Sequence, residues 1–175
     1  KDKNFRNLIT WMYLKTSRNG ASFSEYKKFI EQNEDYPRIN RIRYLAEEKI
    51  YLRNNSPTSV INWFEKYPPL GGLGKIKLAE AYLEQKQTEK VRELIKDGWI
   101  TASIRKNDLG YYRAKFKKFI DSDDHIKRAD YLAWEKKYWD LKRMLKYLPK
   151  DQRALYNARQ ILMSNSYGVD NAISK

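Results

Sequence analysis

One stretch of the sequence, residues 63–100, constrains the fold most strongly because it contains a complete helical hairpin. Two apolar stripes with helical spacing flank a short polar turn at residues 85–88. The stripes comprise Leu78, Ala79, Tyr82 and Leu83, then Val91, Leu94, Ile95 and Trp99. Thr88 is predicted to cap the second helix. Because the turn is short, the helices must be antiparallel neighbours, and such a pair buries both apolar faces only by stacking on further helices.

Helix start and stop signals continue along the chain. A first helix is predicted over residues 4–16, and Ser22 with Glu25 forms a capping box before the second. Pro37 and Pro57 suit the first turns of the third and fourth helices. Later N-caps are predicted at Asn107 or Asp108, for a helix that runs to Ile120, and at Ser122 or Asp123. The last long helix is predicted to start at Asp151.

The sum of these signals predicts one all-α domain over residues 1–175. We expect a right-handed α-superhelix of about ten short antiparallel helices, with irregular repeats similar to tetratricopeptide repeats. The match to that repeat is partial, since Lys75 stands where the repeat usually has Trp. The last helix should bury a stripe of Ala154, Leu155, Ala158, Ile161 and Leu162. Residues 170–173 look like an interrupted helix, so both ends are expected to be cuts in a longer chain.

Composition excludes several classes of protein. With no Cys, the chain has neither disulfides nor a thiolate nucleophile, and with one His it has no zinc site built on several histidines. No apolar run is long enough to span a membrane, and we expect no signal peptide within these residues. The formal charge of +14 is spread along the chain and suits a polyanionic partner such as nucleic acid, anionic lipid or a cell-wall polymer. The alternative interpretation is solubility alone.

Three segments could carry chemistry, and each has a structural alternative that we favour. Residues 121–125, Asp-Ser-Asp-Asp-His, resemble a metal or acid–base cluster, but acidic residues also favour a helix N-terminus. Residues 111–119 interleave aromatic and basic side chains, as in a nucleic-acid or glycan groove. At helical spacing, however, Tyr112, Phe116, Phe119 and Ile120 form a core stripe with Arg113 and Lys117 outside. The loop at residues 68–74 lacks the Gly-Lys-Ser/Thr ending of a phosphate-binding loop and is predicted to connect two helices.

The tryptophans also allow two interpretations, because aromatic side chains stack on sugars and bases as well as between helices. Trp63, Trp99 and Trp134 lie in apolar stripes and are predicted to belong to the core. Trp11 and Trp139 have no such assignment, and no single aromatic residue is assigned to a ligand.

Three blocks of the sequence resemble the soluble lytic murein transglycosylases of Gram-negative bacteria, alphaproteobacterial members in particular. They are Phe-Glu-Lys-Tyr-Pro-Pro-Leu-Gly-Gly-Leu-Gly-Lys at 64–75 with Lys-Leu-Ala-Glu-Ala at 77–81, Glu-Leu-Ile-Lys-Asp-Gly-Trp-Ile at 93–100, and residues 124–135 with Arg-Ala-Leu at 153–155. The resemblance implies a periplasmic enzyme in which a superhelical part precedes a lysozyme-like domain. That domain cleaves peptidoglycan glycan strands non-hydrolytically and leaves 1,6-anhydro-muramyl ends.

The resemblance assigns no catalytic residue to this chain. The family's catalytic acid is a Glu followed by Ser, with a Gly-Leu-Met-Gln motif further on, and neither occurs here. The chain is therefore expected to be a non-catalytic scaffold without cofactor or metal, whose partners are peptidoglycan strands and its own C-terminal lysozyme-like domain rather than nucleic acid. Two alternatives stay open, a stand-alone protein-binding helical repeat and a basic nucleic-acid-binding repeat.

Overall fold

A computed structural model describes residues 2–163 of the chain, and over this range the protein is all α-helical with no β-strand. The all-α prediction is confirmed, whereas the predicted helix at 170–173 lies outside the described residues. The described range contains ten α-helices, and a 3-10 turn follows the ninth of them. They are α1 (Lys3–Leu14), α2 (Phe23–Gln32), α3 (Ile39–Glu47), α4 (Pro57–Lys66), α5 (Gly72–Glu84), α6 (Thr88–Thr101), α7 (Lys106–Lys115), α8 (Ser122–Trp134), α9 (Tyr138–Met144, then the 3-10 turn Leu145–Tyr147) and α10 (Lys150–Leu162).

The predicted hairpin is formed by α5 and α6, which pack along each other. Three residues connect them, and the middle one, Lys86, has a left-handed backbone with φ 59°. The N–H of Gln87 donates to the Tyr82 carbonyl at 3.0 Å, which satisfies a carbonyl that the end of α5 leaves free. Thr88 is the first residue of α6, and Gln87 occupies the cap position without a side-chain hydrogen bond. The prediction of Thr88 as the cap was wrong because the backbone turn, not a hydroxyl, determines where α6 begins.

The same turn recurs between α8 and α9. Lys136 has φ 54°, and the N–H of Lys137 donates to the Leu132 carbonyl at 2.8 Å. Two hairpins with the same turn geometry are what stacked helical repeats produce. The contacts follow chain order, since α5 packs against α3, α4 and α6, α6 packs against α8, and α8 packs against α9 and α10. This arrangement is compatible with a superhelix.

Side-chain caps are confirmed where the signal is local. Ser22 and Glu25 form the predicted capping box, and Ser56 caps α4 with Pro57 in its first turn. Elsewhere the caps shift by one or two residues. The helix α3 begins at Ile39 after a left-handed Arg38, so Pro37 lies outside it.

The boundaries of the later helices also differ from the prediction. The cap of α7 is Arg105 rather than Asn107 or Asp108, and α7 ends at Lys115 instead of Ile120. The N-cap of α8 is Asp121 instead of the predicted Ser122 or Asp123. The last helix, α10, begins at Lys150, one residue before Asp151.

The core contains Trp63 and Trp99, as predicted, but not Trp134, whose side chain is 75% exposed. Trp134 lies at the last turn of α8, about 100° around the helix from the buried Ala133. The predicted face of α10 was also wrong, because Leu155 and Leu162 are exposed. The buried side chains of α10 are Tyr156 and Gln160, on the face that packs against α8 and α9.

Candidate functional site

A concave, basic surface lies where four parts of the fold meet, and we call it the cationic groove. It combines a cavity of about 560 Å³ with a neighbouring one of about 320 Å³ that shares Tyr51 and Asp108 with it. The walls come from the turn after α1, the end of α3 with the following loop, the start of α5, and the segment from residue 103 into α7. The charged residues of the larger cavity are Arg18, Glu48, Lys49, Lys77, Arg105 and Asp108. The smaller cavity adds the charged residues Arg53 and Glu80 and the rings of Tyr111 and Tyr112.

Lys77 is the central side chain of the cationic groove. It is 2% exposed, and among the residues of the described range it has no hydrogen-bond or ion-pair partner. Its Nζ lies 4.1 Å from the centroid of the Tyr51 ring and 5.3 Å from that of Tyr112. Burial lowers the pKa of Lys77 to about 8, against the opposing effect of Glu80 and Asp108. A buried ammonium is costly without a partner, and the two aromatic faces offset only part of that cost.

The ring of Tyr51 contacts three of the cations of the cationic groove, Lys77 and two arginines. The guanidinium of Arg105 lies 5.5 Å from its ring centroid and that of Arg53 lies 5.0 Å away. The Tyr51 hydroxyl accepts a hydrogen bond from Arg105. Arg105 also pairs with Asp108 at 2.8 Å, which neutralises one of the acidic groups of the groove. Among residues 2–163 the Tyr51 hydroxyl donates to no acceptor, so its proton can donate to a ligand.

The second cavity continues the alternation of rings and charges. Tyr111 is half exposed and its hydroxyl donates to the buried Glu80. Lys115 pairs with Glu80 at 3.1 Å and with Glu84 at 2.7 Å. These contacts hold the hydroxyl end of Tyr111, whose ring lines the cavity. Such a surface can stack on a planar or pyranose ring while nearby cations bind an anion.

The acidic segment at residues 121–125 is a helix N-terminus, as we favoured. The carboxylates of Asp121 and Asp124 each accept from the other's backbone N–H at 3.0 Å, which is a capping box at the start of α8. His125 is buried, and its Nδ1 accepts from the Trp99 indole at 3.2 Å. Burial lowers the pKa of His125, so the neutral form is favoured. Over residues 2–163, no three acidic or imidazole side chains group as metal ligands would.

Arg128 is a further buried charge with a structural task. Its guanidinium donates to the carbonyl of Trp99 and, at 3.0 Å, to that of Ala102. Both carbonyls lie at the C-terminal end of α6, where the helix dipole favours a cation. Arg128 therefore links α8 to the end of α6 and does not line the cationic groove.

The aromatic–basic segment at residues 111–119 divides between core and groove. Tyr112, Phe116 and Ile120 are buried and Phe119 is partly buried, so the core stripe is confirmed. Arg113, Lys117 and Lys118 are exposed. Only Tyr111 and Tyr112, at its start, line the cationic groove.

The loop at residues 68–74 is a connector, and it surrounds a carboxylate instead of a phosphate. Glu47, on α3, is buried and its Oε1 accepts from the backbone N–H of Leu70 at 2.6 Å. A Cβ added at Gly74 would lie 2.5 Å from the Glu47 carboxyl carbon, so only glycine allows this approach. Glu47 therefore replaces a side-chain cap at the start of α5.

Sequence analysis missed Glu47 and Lys77. The signal was present in α5, where apolar residues occupy almost every face. Helices of this kind are buried all round, so a charged residue within them is expected to be buried too. Lys77 and Glu80 are the two charged side chains that α5 buries.

Comparisons of the chain with models of known protein families, with curated proteins and with solved structures found no match. Among residues 2–163, no helix has both the length and the apolar character needed to cross a membrane.

Proposed function

We propose that this chain is the non-catalytic superhelical part of a periplasmic lytic transglycosylase. In this role it positions peptidoglycan strands for a lysozyme-like domain outside these residues. The sequence support is the resemblance of the three blocks described above. The structural observation that carries the proposal is the cationic groove, where tyrosine rings alternate with cations on one concave surface.

Peptidoglycan presents two chemical features to a protein, sugar rings and the carboxylates of its peptide stems. Tyr111, with its half-exposed ring, suits the sugar, since aromatic faces pack against the C–H faces of pyranoses. The excess of cations over carboxylates in the larger cavity suits the stems. The repeated turn at Lys86 and Lys136 is compatible with the superhelix that the resemblance implies.

Co-sedimentation of the purified chain with purified sacculi tests this function. We expect the chain to sediment with the sacculi and to release no 1,6-anhydro-muropeptides. The Tyr111→Ala variant should bind at least about fivefold more weakly, as loss of one stacking ring predicts. Trp139→Ala is the matched control, because Trp139 is also aromatic and exposed but does not line the groove. This variant should bind as the unchanged chain does.

Three results would contradict the proposal. Release of anhydro-muropeptides by the chain alone would show that it is catalytic. Absence of binding to sacculi, together with tight and salt-sensitive binding of oligonucleotides with a sequence preference, would favour a nucleic-acid-binding repeat. Recovery of the full-length protein from the cytoplasm alone would contradict the periplasmic assignment.

A further inference from the structure

We propose that the cavity around Lys77 is a carboxylate-binding site, and that its ligand is a peptide-stem carboxylate of peptidoglycan. The identity of the ligand rests on the proposed function, whereas the existence of the site rests on the geometry alone. Four charged or hydroxyl donors converge there, namely Lys77, Arg105, Lys49 and the Tyr51 hydroxyl.

The first argument is the missing partner of Lys77. Buried ammonium groups in proteins are normally paired, because desolvation without a counter-charge is unfavourable. Every other buried charged side chain in the described range has a polar partner: Glu47 accepts from Leu70, Glu80 pairs with Lys115, Asp124 pairs with Lys96, and Arg128 donates to two carbonyls. The Lys77 ammonium lies over two tyrosine rings, has no ion-pair partner among the described residues and borders a cavity. A bound anion would supply the charge that the fold does not.

The second argument concerns the charge of the ligand. The cavity carries four cations and two carboxylates, and Arg105 already holds one of these, Asp108, at 2.8 Å. The other, Glu48, is exposed at the rim. The cavity therefore keeps an excess of two positive charges, which favours the binding of an anion. The choice of a carboxylate rests on the proposed function, because the peptide stems of peptidoglycan carry carboxylates.

The third argument is that the other donors are already oriented. Lys49 is held by the Asn19 carbonyl at 2.7 Å, and Arg105 is held between Tyr51 and Asp108. A carboxylate placed against Lys77 would gain a charge-assisted hydrogen bond in a region of low dielectric. Binding would need little reordering, because the lysine stem is buried before the ligand arrives.

The test uses a disaccharide tetrapeptide released from peptidoglycan, its form with amidated carboxyl groups, and peptide-free glycan chains. Affinities are measured by calorimetry for the unchanged chain and for Lys77→Met and Lys90→Met. Lys90 is a matched control, since its Nζ also lies over a tyrosine ring, 4.7 Å from the centroid of Tyr82, but it is exposed and outside the cavity.

We expect Lys77→Met to bind the tetrapeptide form at least about tenfold more weakly, and Lys90→Met to bind it as the unchanged chain does. Amidation of the ligand's carboxyl groups should weaken its binding to the unchanged chain by a similar factor. The Lys77→Met variant should bind the amidated and free forms with the same affinity. Without ligand, Lys77→Met should unfold at the same temperature or higher, because methionine removes an unpaired buried charge. If that variant fails to fold, the amidation experiment on the unchanged chain still decides.

The outcomes separate the two proposals. Equal binding of the amidated and free forms, with peptide-free glycan also bound, would overturn the carboxylate site and leave the proposed function standing. Binding of the tetrapeptide through Lys77 without any binding of glycan chains or sacculi would overturn the proposed function and keep the site. No binding of any of these probes would overturn both.

Discussion

At the scale of single residues, the fold removes several charges from solvent, and each has a different consequence. Arg128 joins α8 to the end of α6, Lys77 borders a cavity, and Glu47 lies at the start of α5. Of these, Glu47 makes the stability of the protein depend on pH. Burial raises its pKa from 4.5 to about 7, although the backbone N–H groups of residues 70, 71 and 74 and the guanidinium of Arg43 oppose the change.

The sign of the pH dependence follows from that direction. Because the folded pKa of Glu47 lies above the unfolded one, the folded state binds the proton more tightly. The stabilising contribution is complete below pH 4.5 and is lost as the pH rises through about 7. Glu47→Gln keeps an oxygen for the Leu70 N–H and cannot ionise. Relative to this variant, the unchanged chain should lose ~3 kcal/mol of unfolding free energy between pH 4.5 and 8.

Urea denaturation of both proteins across that pH range measures this difference. Glu25→Gln is the control of opposite sign. Hydrogen bonds with Ser22 hold the pKa of Glu25 below its ordinary value. The Glu25 carboxylate therefore loses its contribution to folding stability as the pH falls. Parallel pH profiles for the unchanged chain and Glu47→Gln would refute the assignment of Glu47 as a group that is neutral in the folded protein at acidic pH.

At the scale of helices, the closeness of α5 to the end of α6 depends on glycine. A Cβ added at Gly72 would lie 2.5 Å from the Ala102 backbone nitrogen and 2.8 Å from its Cα. Backbone atoms cannot rotate away as a flexible side chain can. Gly72→Ala should therefore reduce the free energy of unfolding by about 2–4 kcal/mol, because the two helices must separate.

Gly110→Ala provides the matched comparison in the same measurement. Gly110 lies within α7, and an added Cβ there meets no atom within 4 Å. Alanine at that position should stabilise the chain by about 0.5–1 kcal/mol through its better helix propensity. Equal stabilities of the two variants in urea would mean that α5 and α6 tolerate a wider separation than their backbones indicate.

The extent to which sequence predicts these helices depends on the distance over which each signal acts. Ser22 and Glu25 were predicted correctly because a capping box involves residues within one turn. The starts of α6 and α9 were not predictable in this way, since lysines at 86 and 136 adopt the left-handed conformation that usually favours glycine. The burial of Glu47 depends on the contact of α3 with the start of α5, which no local pattern encodes.

At the scale of the whole molecule, contacts between successive helices make stability uneven along the chain. The helix α5 packs against three other helices and buries nine of its residues, from Gly72 to Tyr82. By contrast α1 packs against α2 and buries only Leu14. Its outer side chains, Phe5, Leu8, Ile9 and Met12, are exposed in the described structure. Proteins built in this way open in local units instead of all at once.

Amide hydrogen exchange, followed by mass spectrometry of peptides from residues 3–14 and 72–84, measures this gradient. We expect the α5 amides to exchange at least about 100-fold more slowly than those of α1, after correction for intrinsic rates, because opening α5 requires separation from three neighbours. Gly72→Ala should speed exchange in α5 and α6 and leave α1 unchanged, since the substitution lies away from α1. If α1 and α5 exchange at the same rate in the unchanged chain, the helices form one cooperative unit. The interpretation as a stack of locally stabilised pairs, and with it the structural support for a superhelix, would then be wrong.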